Sequence, residues 1–368
     1  MTTPRQTQIA MLAVSRPGSE LALRLQRQLP EATVFLPERY VPFSGADVKA
    51  WSGTASVLLP GMFARYDGLV IFGSVGMVVR LIAPLLVDKH TDPAVVVVDD
   101  AGRSAVSILS GHLGGANALA RRVASLLGAQ AVITTASEVL HTVAVDILGR
   151  EFGWRIQSGA AVSRVSAALV NGERVGLWQD TGERGWWPEG RPLPPNLVCL
   201  AGLEQLPEAR CQAILIITDR LLEQWAEGLP PSVIYRPRSL VVGLGCNRGA
   251  TMEEIASAVH EGLAEAGLSR ASIRKLATID IKRDEAGLQA VARQWAVPIE
   301  YFSAEEMNGV SPMPNPSLTV RKWTGAQGVC EPAALLGSGA AALIVPKRKT
   351  ANVTVAVARL DFERMAGE

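Results

Sequence analysis

Short apolar runs alternate with helical stretches along the first third of the chain, and this alternation limits the folds available to it. Leu119, Val123 and Leu126 recur at spacings of three and four, which indicates a helix with one buried face. The run at 95–98, the turn at 99–103 and the run at 105–109 are typical of a hairpin. We therefore predict an α/β domain with mixed strand directions. The predicted strands are 9–14, 33–36, 68–72, 94–98 and 131–134, and the predicted helices are 19–29, 75–86 and 114–127.

The chain has 368 residues, which at about 150 residues per domain predicts two or three domains. Five of the eight tryptophans lie between residues 138 and 237, so the composition changes there. Pro230, Pro231 and Pro237 indicate a linker, and an apolar run begins again at 239. We predict a three-part chain of α/β modules, with an N-terminal domain at 1–137, a small central module at 138–236 and a C-terminal domain at 237–368.

Charge argues against nucleic acid as a partner, because Lys+Arg is 36, Asp+Glu is 35 and the net charge is +1. Residues 68–87 are apolar enough to suggest a membrane span, with Arg80 as the only charge. Gly73, Gly76 and Pro84 interrupt that stretch, so we predict a buried strand, a glycine turn and a buried helix. We expect no association with a membrane.

Cysteine spacing bears on metal binding and on the compartment. The four cysteines form no CxxC pair, which argues against a zinc site or a thioredoxin motif. Four scattered thiols are also no disulfide framework, so a reducing cytoplasm is the expected location. These cysteines are Cys199, Cys211, Cys246 and Cys330.

The strongest candidate for chemistry is the segment SGHLGGAN at 110–117, where a predicted strand passes into a helix. Glycines allow the backbone to approach a ligand closely, and free N–H groups at a helix start favour an anion. His112 would serve there as a general base or acid, oriented by Asp99 or Lys89 from neighbouring strand ends. The alternative is a tight turn with a capping histidine. The candidate residues of this segment are Ser110, Gly111, His112, Gly114, Gly115 and Asn117.

A second glycine turn, with Gly73, Ser74 and Gly76, also follows a strand and precedes a helix. Its amides suit a carboxylate or phosphate, with Arg80 on the helix. Close packing of the helix against the strand is the competing explanation, and the segment matches neither a P-loop nor a dinucleotide fingerprint.

Three further candidates lie in the last third of the chain. Arg248 occupies a position in GLGCNRG that a dinucleotide site would give to Gly or Ala, so we reject nicotinamide binding and expect Arg248 to bind an acid group. Neighbouring Cys246 is expected to be a packed thiol. Lys282 belongs to a mixed-charge connection, normally a solvated helix cap. Glu331 precedes a helix that begins at proline, and is either a cleft carboxylate or a complement to the helix dipole.

Taken together, these segments resemble the CbiG family, the cobalt-precorrin-5A hydrolases of the anaerobic corrin pathway. The last third also resembles CobE, a companion protein of the aerobic route. The sequence departs from the family pattern in two places: Asn247 replaces a second basic residue, and residues 138–141 read EVLH after TTAS. The matching stretches are 73–120, TTAS at 134–137, VGLGCNRG at 242–249, LATIDIKRDEAGL at 276–288, FSAEEMN at 302–308 and GVCEPAALL at 328–336, with AALVNGERVGLWQD at 167–180 in the middle.

The resemblance implies hydrolytic opening of the δ-lactone of cobalt-precorrin-5A, loss of the C20 carbon and its methyl as acetaldehyde, and cobalt-precorrin-5B as product. It implies a substrate fringed by acetate and propionate groups, for which Arg80, Lys89, Arg103, Arg248 and Lys282 supply cations. Cobalt arrives inside the macrocycle, so we expect no cofactor and no metal site in the chain.

For that reaction His112 is the expected base, Asp99 its orienting group, and Lys89 with the amides at 73–76 and 111–115 the oxyanion donors. The expected substrate-binding residues are those of the two glycine turns, Arg80, Asn117, Arg248, Lys282 and Glu331. The main alternative function is a non-catalytic tetrapyrrole carrier. A methyltransferase ranks last, because its glycine-rich motifs are not visible. Contact with other corrin-pathway enzymes is a further expectation.

Overall fold

The computed structural model describes residues 8–41, 48–88, 90–157, 159–223, 228–311 and 315–362. The chain folds into two compact units, residues 2–147 and residues 148–368. Three sheets of mixed strand direction lie in these described residues, so the α/β class is confirmed. The domain boundaries at 137/138 and 236/237 stay predictions.

The first unit contains one sheet, which in its described residues has the order β3-β2-β1-β4-β5-β6-β7. The strands from β3 to β5 are parallel, β6 is antiparallel to β5, and β7 is parallel to β6. The predicted hairpin is therefore confirmed. The strands are β1 (Ile9–Ala13), β2 (Thr33–Pro37), β3 (Val48–Trp51), β4 (Gly68–Phe72), β5 (Ala94–Val98), β6 (Ser104–Leu109) and β7 (Gln130–Val132).

Helices cover both faces of this sheet, which explains why β1, β4 and β5 are apolar at every position. Val70 and Phe72 face one core, and Leu69 and Ile71 face the other. The buried apolar side chains of α1 and α4 belong to the first core, and those of α2 and α3 to the second. The helices are α1 (Arg16–Gln26), α2 (Ala55–Arg65), α3 (Val75–Ile82), α4 (Ala116–Leu127) and α5 (Ala136–Val139).

The pairing of β5 with β6 decides which loops of the first unit share an edge of the sheet. Val98 lies opposite Ala105 and Val95 opposite Leu109. The residues that follow β6 are therefore beside the start of β5, whereas the residues that follow β4 and β5 are beside its end. At about 3.3 Å per residue, the two edges are separated by about 13 Å along β5.

The second unit contains two sheets, each with five strands in the described residues, ordered β10-β9-β11-β12-β8 and β15-β14-β13-β17-β16. The strands of the first are β8 (Arg155–Ile156), β9 (Val175–Gln179), β10 (Leu197–Leu200), β11 (Ala213–Ile217) and β12 (Ser232–Arg236). Those of the second are β13 (Leu240–Cys246), β14 (Ile273–Ile279), β15 (Ile299–Phe302), β16 (Leu343–Lys349) and β17 (Val353–Arg359).

Helices complete this unit, and capping boxes begin α8 and α10. Each box joins a hydroxyl side chain to the carboxylate residue three positions on, as the TxxE and SxxE patterns require. The helices are α6 (Val162–Val170), α7 (Leu206–Ala209), α8 (Met252–Glu265), α9 (Ala286–Trp295), α10 (Ala304–Asn308), α11 (Leu318–Thr324) and α12 (Cys330–Ser338).

Two sequence predictions about the second unit are wrong. The alternation at 352–360 predicts an exposed edge strand, yet β17 lies between β13 and β16 and is largely buried. The predicted linker contains β12, which pairs with β11 and β8.

The strand, turn and helix predicted for residues 68–87 are confirmed as β4 and α3. None of the described helices has the length and apolar content needed to cross a bilayer.

Candidate active site

The loop from β6 to α4 is a tight turn closed by its own backbone. The amides of Gly115, Ala116 and Asn117 donate to the carbonyls of His112, Ser110 and Gly111, at 3.0, 3.1 and 3.0 Å. A Cβ at Gly111 would lie 2.8 Å from the Asn117 Oδ1 atom, so glycine is needed for this close approach. Of the amides at 111–115 predicted as oxyanion donors, that of Gly115 is therefore already bonded to a carbonyl of the loop.

His112 is held at both ring nitrogens. Its Nδ1 atom lies 3.1 Å from Asp146 Oδ1, and its Nε2 atom lies 2.9 Å from Ser137 Oγ. The side chains of His112 and Asp146 are 15% and 27% exposed, so the pair is close to solvent without being open to it. A carboxylate accepts from Nδ1–H, which leaves Nε2 of the neutral ring to accept from the Ser137 hydroxyl.

The charge of Asp146 also controls the protonation of His112. The hydrogen bond to Asp146 raises the pKa of His112 above the ordinary value of 6.5, burial opposes this, and the charges of Asp146 and Glu138 add to the rise. Glu138 is itself paired with Arg121, 2.7 Å away, and this bond lowers the pKa of Glu138. An imidazolium that forms at His112 is therefore stabilised by a carboxylate.

Buried polar contacts fix the segment that carries Ser137. The Asn117 Nδ2 atom donates to Thr135 Oγ1 at 3.0 Å, and Ser107 Oγ donates to Asn117 Oδ1 at 2.8 Å. Asn117 is 3% exposed, so it joins β6, α4 and the residues before α5. The structure thus gives Asn117, predicted to bind substrate, these contacts inside the fold.

Asp99 does not orient His112, contrary to expectation. Its Oδ1 atom accepts from the amide of Ala101, and its Oδ2 atom accepts from the amides of Arg103 and Ser104, so it organises the turn between β5 and β6. It follows the end of β5, whereas His112 lies beside the start of that strand. Asp146 has the orienting position instead.

The glycine turn after β4 lies at the same edge as Asp99 and not with His112. The amide of Gly73 donates to the Val98 carbonyl at 2.9 Å, and Ser74 caps α3 by accepting from Met77. Arg80 donates to the carbonyl of Gly76 on its own helix, at 3.0 Å. The glycine turns at 73–76 and 110–115 therefore cannot both supply oxyanion donors to one carbonyl. Lys89 falls outside the described residues, so its role stays a prediction.

The second unit contains a cavity of about 660 Å³ where β13 and β14 end, a size typical of small-molecule sites. Trp323 and Ile281 line it and are 76% and 49% exposed, so apolar surface borders the opening. Its cationic lining residues are Arg248, Lys282, Lys347 and Lys349.

The buried carboxylate of Glu285 pairs with two of these cations, Lys282 and Arg248. Glu285 accepts from Lys282 Nζ at 2.9 Å and from the Gly249 amide at 3.1 Å, and it lies 3.9 Å from Arg248 Nε. Burial opposes its charged form, yet these donors hold the pKa of Glu285 below its usual value. Arg248 is also 3.4 Å from Asp284. The part of the chain that the structure describes shows no ion pair for the side chains of Lys347 and Lys349.

Glu331 lines the cavity and is 2% exposed. Its Oε1 atom accepts from Asn315 Nδ2 at 2.8 Å and from the Lys347 amide at 3.0 Å, so it ties the start of α12 to β16. Burial raises the pKa of Cys330 to about 11 and also raises the pKa of Cys246, which disfavours a thiolate at either residue. No cluster of three His, Cys, Asp or Glu suited to a metal ion occurs in the described ranges.

Sequence reasoning brought His112 forward but missed Asp146 and Ser137, and it missed Glu285 and Lys347 at the cavity. Ser137 stands in the TTAS stretch, which signalled resemblance without a role. Asp146 is 34 residues from His112 and Ser137 is 25 residues away, and no local spacing predicts such contacts.

Family models match this chain in three consecutive parts. The cobalamin synthesis G N-terminal model matches residues 58–138, the cobalamin biosynthesis central region matches 143–237, and the cobalamin synthesis G C-terminus matches 240–358. The chain belongs to the CbiG family. The resemblance inferred from the sequence motifs is confirmed.

Two relatives within this family match nearly the whole chain. Cobalt-precorrin-5A hydrolase of Priestia megaterium is 43% identical over 96% of this chain and 95% of that protein. Cobalt-precorrin-5A hydrolase of Salmonella typhimurium is 34% identical over 91% of this chain and 93% of that protein. Protein CobE of a Sinorhizobium species is 39% identical over 32% of this chain and 79% of that protein.

Proposed function

We propose that this protein is a cobalt-precorrin-5A hydrolase of cobalamin biosynthesis. It opens the δ-lactone, the C20 carbon and its methyl group leave as acetaldehyde, and cobalt-precorrin-5B remains. The substrate is a cobalt corrinoid, and the cobalt is part of that substrate. Membership of the CbiG family, with two hydrolases so named among the relatives, supports this reaction.

The observation that carries the proposal at the level of chemistry is the oriented imidazole of His112. Lactone opening needs a base for the attacking oxygen and an acid for the departing one. With Nδ1 directed to Asp146 and Nε2 directed to a hydroxyl, the neutral ring can take a proton at Nε2 and return it. Asp146 stabilises the charge in the interval, so it replaces Asp99 in the proposed site.

The cavity of the second unit supports recognition of the same class of molecule. A corrinoid at this stage carries acetate and propionate arms, and Lys347, Lys349 and Arg248 offer cations for them. Exposed Trp323 and Ile281 offer apolar contact to the face of a flat macrocycle. Glu331 keeps the wall of the cavity in place.

Anaerobic turnover of cobalt-precorrin-5A tests the function. The purified protein is mixed with this substrate, acetaldehyde is trapped as a hydrazone, and the tetrapyrrole product is identified by mass. We expect one acetaldehyde for each cobalt-precorrin-5B. Tight binding with no acetaldehyde would instead indicate the tetrapyrrole carrier, and the hydrolase proposal would be wrong.

A further inference from the structure

His112 lies between a carboxylate and a hydroxyl in the order that an activated serine requires. Asp146 Oδ1 is 3.1 Å from Nδ1, and Ser137 Oγ is 2.9 Å from Nε2. A nucleophile within hydrogen-bond reach of a base, with a third group orienting that base, is the arrangement of nucleophilic catalysis whatever the fold. Ser137 Oγ therefore lies within hydrogen-bond distance of His112 Nε2, the atom that would accept its proton.

We propose that Ser137 is the nucleophile. The acyl group of the lactone is transferred to Ser137 Oγ, and water then hydrolyses the resulting serine ester. This inference rests on the proposed function, because the lactone of cobalt-precorrin-5A is the ester that it attacks. A general base acting directly on water would need no serine at this position. The juxtaposition of Asp146, His112 and Ser137 carries the proposal.

The steps balance without any further reactant. Ser137 Oγ attacks the lactone carbonyl carbon and its proton passes to His112 Nε2. The tetrahedral adduct collapses, the ring C–O bond breaks, and the departing oxygen takes the proton from Nε2 as an alcohol. Water then attacks the serine ester, loses a proton to Nε2, and expels Ser137 Oγ, which regains that proton. The net change is addition of one water, giving a carboxylate and the alcohol from which acetaldehyde later departs.

The surroundings of Ser137 suit a reacting group better than a packed one. Ser137 is half-buried, and Val139 and Leu140, two and three residues after it, are 57% and 54% exposed. At the same edge, the Ser110 hydroxyl donates to the carbonyl of Asp92 at 2.9 Å, which ties the loop carrying His112 to the start of β5.

Rigid support on each side separates this cluster from a chance surface contact. Thr135, two residues before Ser137, is bonded to buried Asn117. Glu138, the residue after it, is bonded to Arg121 of α4 by both carboxylate oxygens, at 3.3 and 2.7 Å. Helix α4 begins just after the loop of His112, so base and nucleophile are positioned from one helix.

Two measurements on the full-length protein test the proposal. The first is turnover of Ser137→Ala, which we expect to fall by at least about 10³-fold, with thermal stability and corrinoid binding unchanged. The matched control is Ser19→Ala, which removes another hydrogen-bonded serine hydroxyl of the first unit, 2% exposed and far from this edge. The second is covalent labelling with diisopropyl fluorophosphate, located by peptide mass.

We expect the phosphoryl label on Ser137 in the wild-type and Ser19→Ala proteins, and its absence in His112→Ala. A Ser137→Cys variant should accumulate a thioester of mass equal to protein plus substrate, since the conservative change keeps the attack. Turnover in Ser137→Ala within about tenfold of wild type would overturn the nucleophile while the hydrolase function stands. Wild-type protein that stays unlabelled would likewise overturn it.

If wild-type protein releases no acetaldehyde, the hydrolase function fails, and labelling then decides the triad alone. A label on Ser137 that depends on His112 would show that Ser137 is an activated nucleophile which acts on a different ester. If no label forms either, both the hydrolase function and the nucleophilic role of Ser137 are wrong.

Discussion

Two clusters in this protein each combine an aspartate, a nitrogen-bearing side chain and a serine. In the first unit, Asp146 and Ser137 bond to opposite nitrogens of His112. In the second unit, the Asp219 carboxylate accepts two hydrogen bonds from the Arg359 guanidinium, at 2.8 and 2.7 Å, and one from the Ser239 hydroxyl, at 2.7 Å. The first is close to solvent, whereas Asp219 is fully buried.

The nitrogen-bearing residue decides what each cluster does, because His112 lies between Asp146 and Ser137 whereas Arg359 and Ser239 both donate to Asp219. Arginine stays protonated at any working pH, so Arg359 cannot accept a proton and Ser239 donates directly to the carboxylate. Asp219 therefore holds together the segments after β11, before β13 and at the end of β17. Histidine changes charge near neutral pH, so the His112 cluster can move a proton. Similar components give a structural tie in one place and a chemical site in the other.

The largest expected effect is on stability, at Asp219. Asp219→Ala leaves the Arg359 guanidinium partly buried without its carboxylate, which should cost about 3–5 kcal/mol of unfolding free energy. Asp146→Ala should cost about 1 kcal/mol or less, because its pair is partly exposed. Urea denaturation of both variants checks this. Equal losses would show that the two clusters do not differ in the way described.

Next in size is the loss of the base. His112→Ala should lower kcat for acetaldehyde release by roughly 100-fold or more. His260→Ala is the control, because His260 is exposed on α8, and its turnover should match wild type. Undiminished turnover in His112→Ala would move the base elsewhere.

Binding should depend on the free cations of the cavity. In His112→Ala protein, which does not consume substrate, the further change Lys347→Ala should weaken cobalt-precorrin-5A binding by roughly tenfold, and more at low salt. Arg348→Ala is the matched control on the same strand, because Arg348 pairs with Glu265 at 2.7 Å. Spectrophotometric titration measures both, and an equal effect of the two substitutions would argue against the cavity.

The smallest expected effect is a shift in pH dependence. His112 must be neutral to accept a proton, so kcat/KM should rise with pH through a pKa above 6.5, because Asp146 raises the pKa of His112. Asp146→Asn should move this acid limb to lower pH by about one unit. The stability that the pair contributes is present below 6.5 and is lost as pH rises through the raised pKa. If the acid limb of the pH profile lies at the same pH in Asp146→Asn as in the wild-type protein, Asp146 is not the group that orients His112.

Much of the fold was predictable because its signals are local. Continuous apolar runs predicted β4 and β5. The hydroxyl-x-x-Glu spacing is likewise a local signal, and it stands at the starts of α8 and α10. The edge position of 352–360 was predicted wrongly, because alternation within a strand does not say which neighbours it pairs with. That order depends on contacts between distant segments.

By itself the sequence determined the α/β class, the family and the presence of His112 in a glycine-rich turn, since residue type and short spacing suffice for these. Only the tertiary structure decided the partners of that histidine. Antiparallel pairing of β5 and β6 carries Asp99 to one edge of the sheet and His112 to the other, while folding of residues 134–146 brings Ser137 and Asp146 to the ring. Strand direction and long-range packing, which no local pattern encodes, made that choice.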